Sequence, residues 1–413
     1  MNYSRRDLLK AAAVTAGSLV DSKVQAALPP PSQSGIEHII VVMMENRSLD
    51  HFLGWLPGAD GQQSATYYDS NGNPFSTYHL QDYQGCGHPN PDHSYDGGRV
   101  EYNGGLCDGW LKTAANDIYA IGYYEQSDLA FLGPAAPAWT TFQRYFAATM
   151  APTYPNRFFM HSAQTDRISN TLTLSRLPTI WDRLSANGLS GLYYFSDVPF
   201  LALWGLRHLG ITRGISQFFS DCAAGTLPQV AFVDPAFLGI ENGTSNGDEP
   251  HADIRNGEAF MYQVYRAVTT SPLWPSTVLI FNYDEWGGFF DHVPPTTAPD
   301  PHPATNLRGF RVPCLMIAPW ARRGFVGRNV YDHTSILKMI EWRWGIRPLT
   351  VRDQSAANIA QVLDFSSPNY AAPDFNVPPG PFGVACRAGA APAPSHWAQL
   401  AQTARSLGWP VIR

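Results

Sequence analysis

A chain of 413 residues with 28 Lys and Arg against 34 Asp and Glu carries a formal charge of −6, and only 15% of its residues are charged. That balance excludes a basic nucleic-acid binder. Hydrophobic residues at 44%, with 35 Gly and 34 Pro, exclude disorder and a plain helical bundle, and predict a large core threaded by turns.

In chain order, residues 1–26 read first as a transport signal. Ser4-Arg5-Arg6-Asp7-Leu8-Leu9-Lys10 precedes a weakly apolar run, 11–20, and the small-residue site Val24-Gln25-Ala26. The pattern is similar to a twin-arginine leader and predicts export to the periplasm or beyond. The run 11–20 is too short to span a bilayer, and nothing later in the sequence reads as a membrane helix. Residues 27–413 are expected to form one domain.

Short apolar, β-branched runs follow at 36–44, 191–195, 229–233, 277–283 and 312–318. Between them lie helix-period patterns at 179–186 (Trp181, Leu184), 255–268 (Phe260, Met261, Val264) and 334–344 (Ile336, Leu337, Ile340). Such alternation predicts an α/β fold, a mostly parallel central sheet with helices on both faces. Asn187-Gly188 supplies a helix stop, and Asp332 or Thr334 a cap. Residues 56–115 are rich in Gly, Pro, Asn and Asp and too long for a plain connection, so they are expected to be a site-covering insertion. Residues 346–413 are expected to be a tail that wraps the surface before a short terminal helix.

Five cysteines in an exported chain allow two disulfides and leave at least one thiol free. Cys314 lies in an apparent buried strand and is expected to be the free one. Cys86 and Cys107 flank a turn-rich loop and are placed to close it. No CxxC pair points to zinc.

Ligands of open α/β sheets bind beyond the carboxyl ends of the strands, so the residues just after each run matter most. The first run ends in Glu45-Asn46, and the 277–283 run in Asp284-Glu285 followed by Asp291-His292. Three carboxylates and a carboxamide converging on one edge repel one another unless a cation lies between them. Glu45, Asn46, Asp284 and Glu285 are therefore candidate ligands of one divalent ion. Oxygen donors favour Ca, Mg or Mn, with Zn left open. Either pair alone reads more readily as solvated surface acids.

Three blocks, His38 to His51, Pro152-Thr153-Tyr154-Pro155-Asn156-Arg157, and Asp284 to Pro295, resemble the phosphoesterase family. That family holds bacterial phospholipases C, plant non-specific phospholipases C and related acid phosphatases, within the alkaline phosphatase superfamily. Softer matches at 142–146, 179–194, 309–324 and 332–341 extend the resemblance over about 36–345. It implies an alkaline phosphatase-like three-layer sandwich, Thr153 as nucleophile, and a metal held by the two acidic pairs. Without it, Thr153 reads as a turn residue between prolines. Metal coordination is one of the few ways to favour a threonine alkoxide without an adjacent base.

The resemblance also implies phosphate contacts from His93 and His251, imidazoles suited to donating to oxygens or protonating a leaving alcohol. His292 and His333 are supporting candidates, with Asp291 to orient His292. Substrate contacts are expected from Asn46, His292 and Trp286. The last is a departure, because many phospholipase C members carry His after the Asp-Glu pair and an indole is neither acid nor ligand. Trp286 instead offers a face to a choline-like cation, with Trp55, Trp110, Tyr123, Tyr124 and Trp139 in or near site-covering loops, although ordinary packing is the readier account of each such ring.

The expected function is that of an exported, metal-dependent phosphoric ester hydrolase working through a phospho-threonine, with a phospholipase C as the leading class. Larger phospholipases of the family carry extra C-terminal domains for which 413 residues leave no room, which favours the alternative, an acid phosphatase on soluble monoesters. A catalytically silent binding protein is the third reading, and the intact Glu45, Asn46, Thr153, Asp284 and Glu285 weigh against it. The expected partners are a phospholipid or small phosphate ester and a transient membrane-surface contact, with no nucleic acid and no obligate protein partner.

Overall fold

Eight strands build the central sheet: β1 (His38–Met44), β2 (Thr140–Phe142), β3 (Gly191–Phe195), β4 (Thr212–Gly214), β5 (Val230–Asp234), β6 (Thr277–Tyr283), β7 (Cys314–Ile317) and β8 (Phe325–Gly327). The structure is a computed structural model that describes residues 28–113, 116–386 and 395–412. The leader-like segment 1–26 lies outside the described residues. The strand order is β8-β2-β7-β6-β1-β5-β3-β4, and β7 alone among these strands runs antiparallel to its neighbours. The expected mostly parallel α/β sheet is thus the observed one. The three short strands β2, β4 and β8 lack the apolar run that marked the other five.

Both faces of the sheet are covered. Side chains alternate across a strand, yet every residue of β5 and β6 and all but His38 of β1 are buried. The covering helices follow their sequence signals. Helix α4 (Ile180–Ala186) opens with a Thr179–Asp182 capping box and stops at Asn187. Helix α6 (Ile254–Thr269) buries Phe260, Met261 and Val264. In α7 (His333–Trp344), Asp332 accepts from the Thr334 N–H at the start, and Gly345 closes the helix at a φ of 67°. These are numbered with α1 (Leu49–Leu53), α2 (Tyr95–Tyr102), α3 (Thr153–Ser162) and α5 (Ile215–Ala224). No helix among the described residues is long and apolar enough to cross a membrane.

Two expectations need correction. Cys86 does not pair with Cys107; it is bonded to Cys386, while Cys107, Cys222 and Cys314 are free and buried. The bond joins the 56–115 insertion to the tail across 300 residues of sequence. The tail, moreover, is only partly a surface wrap. None of residues 364–386 is fully buried, but α8 (His396–Ser406) enters the core with Trp397, Leu400, Ala401 and Ala404. Those four positions repeat at the three- and four-residue spacing of one helix face.

Glu258, on α6, is a buried carboxylate away from the strand-end acids. Its Oε2 accepts the N–H groups of Phe131 (2.5 Å) and Leu132 (2.8 Å). Burial lifts its pKa to about 8. A carboxyl whose pKa rises on folding binds more protons folded than unfolded, so its contribution is complete at low pH and is lost as pH climbs from the unfolded value toward 8. Glu258→Gln is expected to lessen the fall in melting temperature between pH 5 and pH 9; an unchanged slope removes Glu258 from the pH response.

Candidate active site

Strands β1 and β6 are parallel neighbours in a register that pairs Met44 with Tyr283, so their next residues meet at one sheet edge. Asn46 adopts a left-handed backbone, φ 56°, and its N–H donates to Asp284 Oδ1 at 3.0 Å. Its Nδ2 lies 3.4 Å from Asp284 Oδ1, 3.4 Å from Thr153 Oγ1, and against Glu285 Oε1. The turn after Glu285 needs Gly287, whose φ is +66° and where a Cβ would fall 2.2 Å from the Asn46 carbonyl oxygen.

Thr153 is the first residue of α3, reached through Pro152. The motif around it is a brace. Asn156 Nδ2 donates to the carbonyls of Ala151 (2.7 Å) and Thr149 (3.1 Å), and its Oδ1 accepts from the Thr149 N–H (2.9 Å). Arg157, one helical turn beyond Thr153, reaches the acids on the same side. Its guanidinium is 2.6 Å from Glu45 Oε1, 2.9 Å from Asp234 Oδ1 and 3.6 Å from Asp284 Oδ2. Asp234 ends β5 and also accepts from the Tyr193 hydroxyl. The second oxygen of Glu45 accepts from Trp397 Nε1 at 3.0 Å.

The group is strongly charged and fully enclosed. Glu45, Thr153, Asp284 and Glu285 are 0% exposed and Asn46 2%. Burial first, then the Asp284 charge, pushes the carboxyls of Glu45 and Glu285 well above their usual range. Burial alone would lower the Arg157 pKa, but Glu45, Asp234 and Asp284 outweigh it and raise it. Asp284 Oδ2 is buried without a hydrogen-bond partner. A buried carboxylate oxygen with no hydrogen bond, and only the longer 3.6 Å approach of Arg157, is what a bound cation would satisfy, so Asn46, Asp284 and Glu285 fit a divalent ion. Glu45 differs from the expected ligand, because both its oxygens already have donors in Arg157 and Trp397.

His93, in the insertion, places Nε2 3.7 Å from Glu285 Oε1, while its Nδ1 lies 2.8 Å from the Pro91 carbonyl oxygen. Burial lowers its pKa. His251 ends a loop whose Gly247 carbonyl accepts from the Glu45 N–H (2.7 Å). Its ring stacks on Tyr119 at 6.4 Å, and its Nε2 is buried without a partner. Burial, joined by the Arg47 charge, lowers its pKa as well.

The model of the Phosphoesterase family matches residues 36–347. The chain belongs to that family. It is a phosphoric ester hydrolase by class. Non-specific phospholipase C6 of Arabidopsis thaliana is 29% identical over 378 residues, spanning 80% of this chain and 72% of that one. Phospholipase C B of Mycobacterium tuberculosis is 28% identical over 474 residues, spanning 91% and 89%. Among solved structures, an alkaline phosphatase superfamily protein from Vibrio parahaemolyticus aligns with a TM-score of 0.40 at 8% identity, covering 86% of this chain and 79% of that one.

Two expected substrate contacts of the phosphoesterase lie elsewhere. Trp286 is 0% exposed, donates from Nε1 to Glu101 Oε2 (2.7 Å) and packs on Phe310 in a small separate core, so it offers no face to a ligand. His292 turns its Nδ1 to Asp50 Oδ2 (2.5 Å) and its Nε2 to Asp60 Oδ1 (3.2 Å). Asp50, not Asp291, orients it. Asp50, Asp291 and His292 have ligand atoms within 4.8 Å of one another, the makings of a metal site. Arg311 already supplies a cation there, 3.1 Å from Asp50 Oδ1 and 2.8 Å from Asp291 Oδ1. His333 is fully buried, its Nε2 3.0 Å from the Tyr283 carbonyl oxygen, and braces the end of β6. Sequence reasoning passed over Asp234, Arg157 and Trp397. Asp234 had the same signal as Asp284, an acid directly after an apolar run, and Arg157 stood in a quoted motif; Trp397 had none.

Proposed function

We propose that this phosphoesterase is a phospholipase C in which Thr153 attacks phosphorus. The P–O bond to diacylglycerol breaks, the alcohol departs, and water then frees the phosphorylated head group from a phospho-threonine. The observation that carries the reading is that Thr153 Oγ1 faces Asn46 Nδ2, the same amide nitrogen that lies against Asp284 and Glu285 at the edge of β1 and β6. Asn46 Nδ2 faces the hydroxyl at 3.4 Å. His93 and His251, kept neutral by burial, are the groups offered to phosphoryl oxygens and to the leaving alkoxide. Asn46, Asp284 and Glu285 are the residues that would hold a divalent ion, which would supply positive charge beside the Thr153 hydroxyl and the phosphoryl group. The names of the relatives support the phospholipase class.

Turnover of p-nitrophenyl phosphorylcholine against p-nitrophenyl phosphate, before and after chelation and metal return, tests this. Preference for the diester with loss on chelation is expected. Preference for the monoester favours the second reading, an acid phosphatase, to which the burial of Trp286 lends weight by removing one aromatic face for a choline head group. Asp284→Asn is expected to lower bound metal together with rate, and an unchanged metal stoichiometry refutes its ligand role. Residues 1–26 are read as directing export, checked by cell fractionation. Exposed Tyr68, Phe75 and Leu106 in the insertion are the apolar groups available for a transient lipid contact.

A further inference from the structure

His396 opens α8, 303 positions beyond His93 in the chain, yet it packs against Tyr154, the residue after Thr153. Its place is fixed by three contacts. The hydroxyl of Tyr154, the residue after Thr153, donates to the His396 carbonyl oxygen at 2.8 Å. The Tyr154 and His396 rings meet edge to face at 5.2 Å. The next residue, Trp397, stacks on Phe237 at 3.7 Å and holds Glu45. The insertion and the tail are further clasped by Cys86–Cys386 and by Gln84, whose Nε2 donates to the Val384 carbonyl (2.9 Å) and whose Oε1 accepts its N–H (3.0 Å).

Within this frame His396 Nε2 is buried and has no hydrogen-bond partner. A buried imidazole nitrogen without a partner loses its hydration and gains nothing, an arrangement that persists where a ligand completes it. Burial, with His93 and Arg157 nearby, lowers the His396 pKa to about 3, so the ring is neutral and offers a single N–H. The only oxyanion the reaction brings beside Thr153 is the phosphoryl group.

Resting on Thr153 as the nucleophile, we propose that His396 is a phosphoryl-binding residue, its Nε2–H donating to a non-bridging oxygen of the group transferred to Thr153. The C-terminal helix then supplies a substrate contact that none of the family blocks contains, on the opposite end of the chain from His93.

The test is binding of inorganic phosphate and orthovanadate to the full chain, by calorimetry and by inhibition, for wild type, His396→Phe, His396→Gln and Thr153→Ala. Phe keeps the ring volume without a donor, and Gln restores one. His396→Phe is expected to weaken both oxyanions about 10- to 100-fold, with melting temperature and metal content unchanged. His396→Gln should recover part of that loss. If His396→Phe binds both oxyanions as wild type does while Thr153→Ala is inactive, His396 is overturned and the Thr153 reading stands. Full activity in Thr153→Ala overturns the nucleophile and, with it, the basis for this role.

Discussion

Replacing Thr153 by Ala is expected to cut turnover by on the order of 10⁴-fold or more while leaving the fold intact, because a removed nucleophile has no substitute in a site built around it. Its hydroxyl makes one long contact, 3.4 Å from Asn46 Nδ2, so the stability cost is about 1 kcal/mol or less. The discriminating measurement is a quench of the first turnover followed by detection of phosphate on the protein. Wild type should accumulate label at one threonine, and Thr153→Ala none. Label at any other residue, or turnover within tenfold of wild type, removes Thr153 from this role.

Arg157→Ala should be the most destabilising change in the site. The guanidinium is 1% exposed and is shared by Glu45 and Asp234, with Asp284 close behind. Removing one partner of a buried ion pair leaves uncompensated charge and costs about 3–5 kcal/mol. Urea denaturation measures it. The carboxyls left behind must take up protons to stay buried, so the loss should be larger at pH 8 than at pH 5. Adding Asp234→Asn to Arg157→Ala should cost less than the two changes summed, because the same interaction is removed only once. A loss below about 1 kcal/mol would mean that the cluster is relieved in some other way.

The sheet was readable because its strands are buried on both faces. Runs such as Ile39-Ile40-Val41-Val42 announce themselves without any partner, whereas β4, with only Thr212, Arg213 and Gly214, depends on pairing with β3. Glu45, Asp284 and Glu285 were readable for the same reason, since they follow apolar runs, and Asp234 carried the same signal without being picked out. What escaped was whatever depends on contacts between distant parts of the chain. Trp286 follows the Asp-Glu pair in sequence, but the turn through Gly287 and Gly288 directs its indole toward Glu101. Cys86 looked nearest to Cys107, and only the returning tail shows why Cys386 is its partner. Helix-period spacing marks α8 as a helix; it carries no sign that Trp397 ends on Glu45.

That last contact bears on how the protein is made. Glu45 lies at the end of the first sheet strand and emerges early in synthesis, but its second oxygen finds a donor only when residue 397 has been translated. A nascent chain halted after β8 can pair all eight strands and still hold a half-satisfied carboxylate beside Arg157. Products that terminate before residue 397 are thus expected to be folded in outline and inert.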